Sequence, residues 1–446
     1  MQKRGISLLG GILLFCWLGA TLSCDCLCGE KVAATPPPPL HVPAKPAPIE
    51  PGKPWQFAVS GDSRNCGDVV MPAIAQGADH DHAQFYWHLG DLRAIYDFDE
   101  DFVQAAKLNG QHMTIAGYEQ LAWRDFRQYQ TIPFGGIPFF LGIGNHETVA
   151  NLKTREEFTH EFADFLDLPE LRQQRQKDAG KGAAGPPKTY FHWVMADVDF
   201  IYLDNATPDQ FDADQMKWAL ERIDSDKQND SVHTVVVGMH EALPNSISSS
   251  HSMNQMLDGG KSGIQIYQDL LELRKKKKVY VLASHSHYYM EDIYNTQFWQ
   301  SNGGVLPGWI VGTAGAHRYR LPEPNTAKVA KTNVYGYLLG TVNPTEQDAG
   351  AVKFEFKQLD EKNVPPAIVQ AYSQEFVHWC FVENTDVPSS IRGTNKHETA
   401  SGHIENLVAS GGRCSKGLAK KTNLTAPNVD EKSSVDVGRS VVYVYH

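Results

Sequence analysis

Residues 138–147 have the sequence PFFLGIGNHE, in which an apolar run of strand length ends in glycine turns and three polar side chains. Short apolar runs that are bounded by turn residues are typical of buried strands. Four other runs also stop at clusters of Asp, Asn, His, Ser or Gly residues: 55–60, 85–89, 232–239 and 279–283. The middle of the chain is therefore predicted to contain strands whose carboxyl ends are polar.

Helical patterns alternate with these runs, at 68–78, 117–129, 212–223 and 264–276. Further runs of strand length follow at 190–194, 200–203, 309–311, 335–342 and 351–359. The alternation is typical of an α/β protein. We therefore expect an α/β fold in which two sheets form a sandwich that is flanked by helices and carries helical insertions. The insertions are the long segments 98–132 and 148–188, which, with the polar stretch 243–261, are expected to shape a substrate pocket.

The polar clusters at the ends of the five runs contain side chains that bind metals. In chain order they are Gly61-Asp62-Ser63-Arg64, Gly90-Asp91, Gly144-Asn145-His146-Glu147, Gly238-Met239-His240 and Ser284-His285-Ser286-His287. Ligands collect at the carboxyl ends of parallel strands, so these five ends are expected to converge. The candidate metal ligands are Asp62, Asp91, Asn145, His240, His285 and His287. Mixed oxygen and imidazole ligation suits Zn, Fe or Mn better than Ca or Mg.

The order and content of these clusters resemble the calcineurin-like metallophosphoesterase superfamily, which includes purple acid phosphatases. The pattern of that superfamily is an Asp motif, GD, GNH followed by Glu or Asp, a His after a strand, and GHxH. The resemblance extends over residues 55–317. It implies two metal ions of the Fe, Mn or Zn class and hydrolysis of phosphate esters by a metal-activated bridging hydroxide.

The resemblance also implies a role for each residue that matches a motif. Asp91 would bridge the two ions. Asp62 and His287 would hold the first ion, and Asn145, His240 and His285 the second. His146 would contact the phosphoryl group or protonate the leaving oxygen, and Glu147 would orient its neighbours. Two cations about 3.5–4 Å apart stabilise both the attacking and the departing oxygen, which suits this chemistry.

The chain departs from the superfamily pattern at three positions. The first motif commonly has Asp-x-His, whereas this chain has Arg64, which cannot ligate a metal. Either water or another side chain fills that position, or Arg64 binds the phosphate of the substrate through its bidentate fork, and we favour the second interpretation. Purple acid phosphatases use a Tyr where this chain has Ala94, and Tyr96 is the nearest substitute. The last motif begins with Ser284 instead of Gly.

The first 54 residues are expected to lie outside the fold. Residues 1–4 are cationic and 5–23 carry no charge, so 1–23 is predicted to be an export signal, although an uncleaved membrane anchor remains open. Residues 21–24, TLSC, resemble a loose bacterial lipobox with Cys24 as the lipidated residue. The proline-rich linker 24–54 is expected to be an extended spacer rather than a packed element. The protein is predicted to be periplasmic or on the cell surface.

The metallophosphoesterase domain is predicted over 55–360 and a C-terminal extension over 361–446. The extension is expected to be partly disordered, because few large apolar residues follow 386. Residues 441–445 are a candidate edge strand. Cys380 and Cys414 are a candidate disulfide pair, with Cys66 left single.

The net charge of the chain limits which molecules it is expected to bind. The 41 basic and 52 acidic residues give a net charge of −11, which disfavours a nucleic-acid-binding surface. The expected substrate is a small phosphate ester whose negative charge is met by metal ions. Monoesters are favoured, because Arg64 suits a doubly charged phosphate. A phosphodiesterase or nucleotidase of the same superfamily, and a catalytically silent metal- or phosphate-binding surface protein, are the alternatives.

Overall fold

Two sheets form the framework of the protein. A computed structural model describes residues 39–112, 114–149, 153–206, 210–254, 257–345 and 349–387. The strands in these ranges are β1 (Trp55–Ser60), β2 (Ala83–His88), β3 (Phe139–Leu141), β4 (Phe191–Met195), β5 (Val198–Leu203), β6 (Thr234–Met239), β7 (Lys278–Ala283), β8 (Tyr289–Glu291), β9 (Gly308–Val311), β10 (Ala330–Lys331), β11 (Tyr335–Val342) and β12 (Val352–Leu359). Every predicted strand in the described ranges is present, which confirms the two-sheet α/β fold.

The helices cover the outer faces of the sheets and form the insertions. They are α1 (Gly67–His80), α2 (Glu100–Leu108), α3 (Ile115–Phe126), α4 (Arg155–Glu161), α5 (Ala163–Leu166), α6 (Pro169–Ala179), α7 (Ala213–Gln228), α8 (Leu257–Arg274), α9 (Gln297–Ser301), α10 (Pro366–Tyr372) and α11 (Gln374–Val382). The insertion 98–132 contains α2 and α3, and the insertion 148–188 contains α4 to α6. Within the described ranges, no helix is both long and apolar enough to cross a bilayer.

Both sheets have parallel strands at their centre. The first sheet has the order β12-β11-β1-β2-β3, and the second has the order β10-β8-β9-β7-β6-β5-β4. Strands β1, β2 and β3 run parallel, as do β5, β6, β7 and β9. The polar clusters follow β1, β2, β3, β6 and β7, so they leave the sheets from carboxyl ends of the parallel strands, where ligands commonly bind.

An aromatic layer holds the two sheets together. The Phe57 and Phe85 rings of the first sheet are stacked at 5.2 Å, and both meet Phe200 of the second sheet edge-on at 5.0 Å. Phe140 stacks on Trp193 across the layer, with ring centroids 3.8 Å apart. These rings are all buried. Because tightly packed rings fix the separation of the sheets, they also fix the distance between the loops that each sheet contributes.

Two expectations about the ends of the domain are wrong. Cys66 is not single: it forms a disulfide with Cys380, so Cys380 is not available to Cys414. Sequence spacing could not reveal this pair, because 314 positions separate the two cysteines. Residues 39–54 form no helix or strand, yet they pack on the domain, since Pro43 is buried and its carbonyl accepts a hydrogen bond of 2.8 Å from the Gly136 amide.

The signal segment, Cys24, Cys414 and residues 441–445 lie outside the described residues. The part of the predicted C-terminal extension that is described, 361–387, contains α10 and α11. Tyr372, Val377 and Cys380 of these helices belong to a buried core that contains residues of both sheets.

Candidate metal centre

The loops that follow β1, β2 and β7 each place one candidate ligand in an unusual backbone conformation. Asp62, Asp91 and His285 have φ angles of 60°, 60° and 62°. This left-handed region costs a residue with a side chain about 1–2 kcal/mol, and such residues concentrate at functional sites. The backbone thus turns sharply at three of the six candidate ligands.

Glycines allow these loops to approach one another closely. Gly90 has a φ of 95°, and a Cβ at Gly90 would lie 2.6 Å from the carbonyl carbon of Ile143. A Cβ at Gly144 would collide with the Asp91 carboxylate. The glycines of the second and third motifs are therefore needed so that the Asp91 and Asn145 loops can meet.

The candidate ligands form two overlapping groups that share Asp91. Asp62, Asp91 and His287 offer ligand atoms that lie within 4.8 Å of one another, and so do Asp91, His240 and His285. We call the site formed by Asp62, Asp91 and His287 the first position. The site formed by Asp91, His240, His285 and Asn145 is called the second position. Asn145 belongs there because its Oδ1 lies 2.9 Å from His240 Nε2. All six residues predicted from the sequence thus lie together, grouped around a shared carboxylate.

The donor atoms of the second position suit a cation. His240 Nδ1 lies 3.0 Å from the Leu89 carbonyl, to which it donates when it carries the ring proton. His240 Nε2 then presents a lone pair to Asp91 Oδ1 at 3.3 Å, and His285 Nδ1 lies 3.0 Å from the same nitrogen. Electron-rich atoms held this close repel one another unless a proton or a cation lies between them.

The first position also contains atoms that a cation would satisfy. Asp62 Oδ1 and Asp91 Oδ2 are buried and accept no hydrogen bond from the described residues. His287 Nδ1 faces the His317 carbonyl at 2.6 Å, so Nε2 points at Asp62 Oδ1, 3.2 Å away. Buried polar atoms without partners are rare, and here they point towards one another. The residues present therefore fit a metal at both positions.

Arg64 reaches into the first position. Its Nη2 lies 3.0 Å from His287 Nε2, its Nε lies 3.7 Å from Asp91 Oδ2, and its Nη1 hydrogen-bonds His146 Nε2. Tyr96 does not take the place of a ligand. Its ring stacks on His146 at 4.9 Å, its hydroxyl lies 3.4 Å from His146 Nε2, and the residue is 53% exposed.

Opposing charges set the ionisation of the centre. Burial would raise the pKa of Asp91, but His240, His146 and Arg64 lower it below its ordinary value. Burial and the neighbouring His240 lower the pKa of His285. Burial and Arg64 lower the pKa of His146 to about 4, which leaves this imidazole neutral at pH 7. Burial would lower the pKa of His240, but Asp91 and Asp62 raise it. At neutral pH the centre therefore presents the Asp91 carboxylate and the neutral imidazoles of His146 and His285.

Supporting residues hold the ligand loops, and the sequence revealed only some of them. Glu147, expected to orient its neighbours, accepts hydrogen bonds of 2.9, 2.9 and 2.8 Å from the amides of Asp91, Leu92 and Gly144. Asp99 was missed, although its carboxylate accepts from the Asn65 amide at 2.6 Å and from the Ala94 amide at 3.0 Å. One carboxylate from the insertion 98–132 thus joins the Arg64 loop to the Asp91 loop.

Two aromatic side chains at the edge of the centre were not predicted as site residues. The Tyr319 ring stacks on His287 with centroids 4.0 Å apart. The His251 ring lies 5.2 Å from His285 and 5.4 Å from Tyr319. His251 belongs to the polar stretch 243–261, which was expected to border the pocket, whereas no motif marks Tyr319.

Comparisons with known proteins add similarities of fold. No protein-family model matches the sequence, and no curated protein matches it. A purple acid phosphatase from yellow lupin (Lupinus luteus) seeds is 16% identical, with a TM-score of 0.46, and the match covers 71% of this chain and 56% of that chain. This chain thus spans little more than half of the lupin protein.

Two further solved structures are similar in the same way. PhoD is 13% identical, with a TM-score of 0.44 over 75% of this chain and 78% of that chain. GAP50, described as the anchor in the inner membrane complex of Plasmodium, is 12% identical, with a TM-score of 0.39 over 76% and 98%. Since one fold hosts many functions, the chemistry has to be argued from the site.

Proposed function

We propose that this chain is a metal-dependent phosphoesterase that hydrolyses phosphate esters of small molecules at the Asp91 centre. One observation carries the proposal: the Asp91 carboxylate is shared by two groups of ligand atoms, each within 4.8 Å. A carboxylate shared by two metal positions suits in-line displacement at phosphorus. When bound there, two cations would stabilise the attacking and departing oxygens and lower the pKa of a water.

The surrounding side chains have roles that follow from their positions. Arg64 brings a fixed positive charge next to Asp91, where a phosphate oxygen would also be attracted. His146 is held by its Nδ1, 2.8 Å from the Ala94 carbonyl, so its Nε2 faces the centre and can contact the phosphoryl group. Glu147 and Asp99 keep the backbone of both loops in place. We assign Arg64 and His146 to substrate binding and the six ligands to metal binding.

Phosphomonoesters are the proposed substrates. A terminal phosphate carries two negative charges, and the guanidinium of Arg64 adds a cation to those of the metals. Turnover of an aryl phosphate and of a bis-aryl phosphate, measured side by side, tests this choice. Faster cleavage of the diester would contradict it and favour a phosphodiesterase.

Metal removal tests the enzymatic function itself. Dialysis against a chelator should abolish hydrolysis, and Mn²⁺ or Zn²⁺ should restore it. His146→Ala should lower kcat by about 10²-fold or more while metal content stays unchanged, because His146 contacts the substrate rather than the ions. Metal binding without hydrolysis of any phosphate ester would instead identify a silent metal-binding protein.

We also propose that the protein is exported and remains on the periplasmic side or the cell surface. The uncharged segment 5–23 supports this, and so does the Cys66–Cys380 disulfide, since disulfides persist in oxidising compartments. A lipid on Cys24 is the proposed tether. The mass of the N-terminal peptide from membrane-extracted protein decides between a diacylated Cys24, an uncleaved signal and a free N-terminus.

A further inference from the structure

The Arg64 guanidinium lies among the ligand atoms of the first position. Its Nη2 is 3.0 Å from His287 Nε2, and its Nε is 3.7 Å from Asp91 Oδ2. The side chain is only 12% exposed, and its Nε, although buried, donates no hydrogen bond within the described residues. A guanidinium is a permanent cation, so the carboxylates and lone pairs around it attract it as they would attract a metal ion.

Arg64 and a metal ion would need the same atoms. The lone pair of His287 Nε2 points inward because Nδ1 faces the His317 carbonyl at 2.6 Å. A lone pair that accepts from Nη2 cannot at the same time ligate a metal. Asp91 Oδ2 is likewise the carboxylate oxygen nearest to the Arg64 Nε. Arg64, which lies in the same loop as Asp62, therefore competes with a metal ion for the ligand atoms of the first position.

The second position has no such competitor in the part of the chain that the structure describes. Asp91 contributes Oδ1 there, at 3.3 Å from His240 Nε2, rather than the Oδ2 that faces Arg64. Asn145 Oδ1 and His285 Nδ1 lie 2.9 and 3.0 Å from the same nitrogen. Neither side chain is a permanent cation as Arg64 is. The two positions are thus unequal, although they share one carboxylate.

We propose that Arg64 competes with a cation for the first position, so that this chain binds one ion tightly at the second position and another only weakly. This inference rests on the proposed metal-dependent function. A charge of +1 about 4 Å from a charge of +2 weakens binding by about 30-fold even at the dielectric constant of water. Arg64 should therefore widen the difference between the affinities of the two ions by up to about 30-fold, in addition to the mutual repulsion of the ions.

Zinc titration of the full-length chain tests the inference without any assay of activity. Wild type, Arg64→Met and Arg64→His are stripped with EDTA, desalted and titrated with Zn²⁺ in a calorimeter, and bound metal is counted by mass spectrometry. Methionine removes the guanidinium without adding a ligand, whereas histidine restores the common superfamily ligand. Both variants should bind two ions, and the difference between the two affinities should be up to about 30-fold smaller than in wild type.

Control variants separate this result from other effects. Arg127→Met removes an arginine that pairs with Asp164 at 2.8 Å, so it should behave as wild type. Asp91→Asn reports binding to surface sites. Circular dichroism shows whether each variant is folded before it is titrated. If either variant is unfolded, Arg64→Lys replaces it. Because lysine keeps the positive charge, Arg64→Lys should retain the wild-type difference between the two affinities.

Each outcome decides the inference. Two ions of similar affinity in wild type would overturn it and leave the metal-dependent function intact. A difference between the two affinities that is as large in Arg64→Met as in wild type would also overturn it, because the ligand set and not Arg64 would limit binding. An absence of bound zinc in wild type and both variants would contradict the proposed function and this inference together.

Discussion

Ser284 shows how a single departure from a motif can be used to orient a ligand. Its hydroxyl lies 3.1 Å from His240 Nδ1 and donates to the Leu89 carbonyl at 3.0 Å, so it and the carbonyl surround the ring nitrogen that faces away from the centre. Partners of this kind fix the tautomer and the orientation of a ligating imidazole. The serine that replaces the usual glycine is therefore part of the candidate metal centre.

Ser284→Ala should lower the affinity of the second position for Zn²⁺ by about tenfold, because loss of such a partner typically costs 10–100-fold in metal affinity. Calorimetric titration measures the change. Ser262→Ala is the matched control, since this hydroxyl donates to the Gly259 carbonyl at 3.1 Å in α8 and does not contact a ligand. Equal affinities in the two variants would show that Ser284 does not orient His240.

A buried charge cluster joins strands β4 and β5 of the second sheet to helices α6 and α7. His192 of β4 lies between Asp199 of β5 at 2.8 Å and Asp178 of α6 at 2.7 Å. Burial alone would lower the pKa of His192, but these two carboxylates raise it to about 9. Asp226 of α7 is buried beside Asp199, and burial and that carboxylate raise its pKa to about 8.

Both shifts make the protein less stable at alkaline pH. A raised imidazole pKa stabilises the fold fully below the unfolded value of about 6.5, and this is lost as pH rises through 9. Asp226 stays protonated in the fold while the unfolded chain ionises, so its contribution to stability falls as pH rises from about 4 and is fully lost above about pH 8. The free energy of unfolding should therefore fall between pH 6.5 and 9, with His192 contributing up to about 3 kcal/mol.

Urea denaturation at several pH values measures this fall. Asp226→Asn, which stays neutral, should flatten the part of the curve between about pH 4 and 8. Asp224→Asn is the control, because Asp224 lies on the same helix and is exposed. If Asp226→Asn and wild type lost stability equally across this range, the buried carboxyl pair would not be the cause.

At the level of elements, strands were easier to predict than helices. β1 begins and ends where its apolar run does, because a run of apolar residues marks a buried strand directly in the sequence. α8 begins seven residues before the predicted start. Its first turns contain Gly259, Gly260 and Gly263, and because glycine has a low helix propensity, the sequence pattern there does not indicate a helix. The predicted 117–129 helix ends earlier, at Phe126, and continues as a π-helix in which Gln130 turns inward to donate to Asp68 at 3.1 Å.

At the level of the whole molecule, the sequence located the candidate ligands, which the structure brings together, but not what surrounds them. Asp62, Asp91 and His240 follow strands, so their position could be inferred from the order of the motifs. Tyr319 and Asp99 reach the centre through loops and an insertion, whose paths depend on packing that no local pattern records. For the same reason, the partner of Cys66 could be found only in three dimensions.

The C-terminal helix α11 is connected to the metal centre in more than one way. The disulfide joins Cys380 to Cys66, two residues beyond Arg64. The buried guanidinium of Arg318 donates to the Cys380 and Phe381 carbonyls, both at 2.9 Å. Next to Arg318, His317 provides the carbonyl that faces His287 Nδ1. The described residues after β12 therefore support the loops that carry Arg64 and His287.

Removal of the disulfide should destabilise the whole domain. The bond closes a loop of 314 residues, and cross-links of this kind contribute about 2–5 kcal/mol by restricting the unfolded chain. Cys66→Ser/Cys380→Ser should lower the free energy of unfolding by that amount, and dithiothreitol should destabilise wild type but not the double variant. Cys414→Ser should behave as wild type, because Cys380 has its partner in Cys66. Wild-type stability that is unchanged by reduction would show that no disulfide stabilises the fold. A Cys414→Ser variant that loses as much as the double variant would show that the stabilising bond involves Cys414.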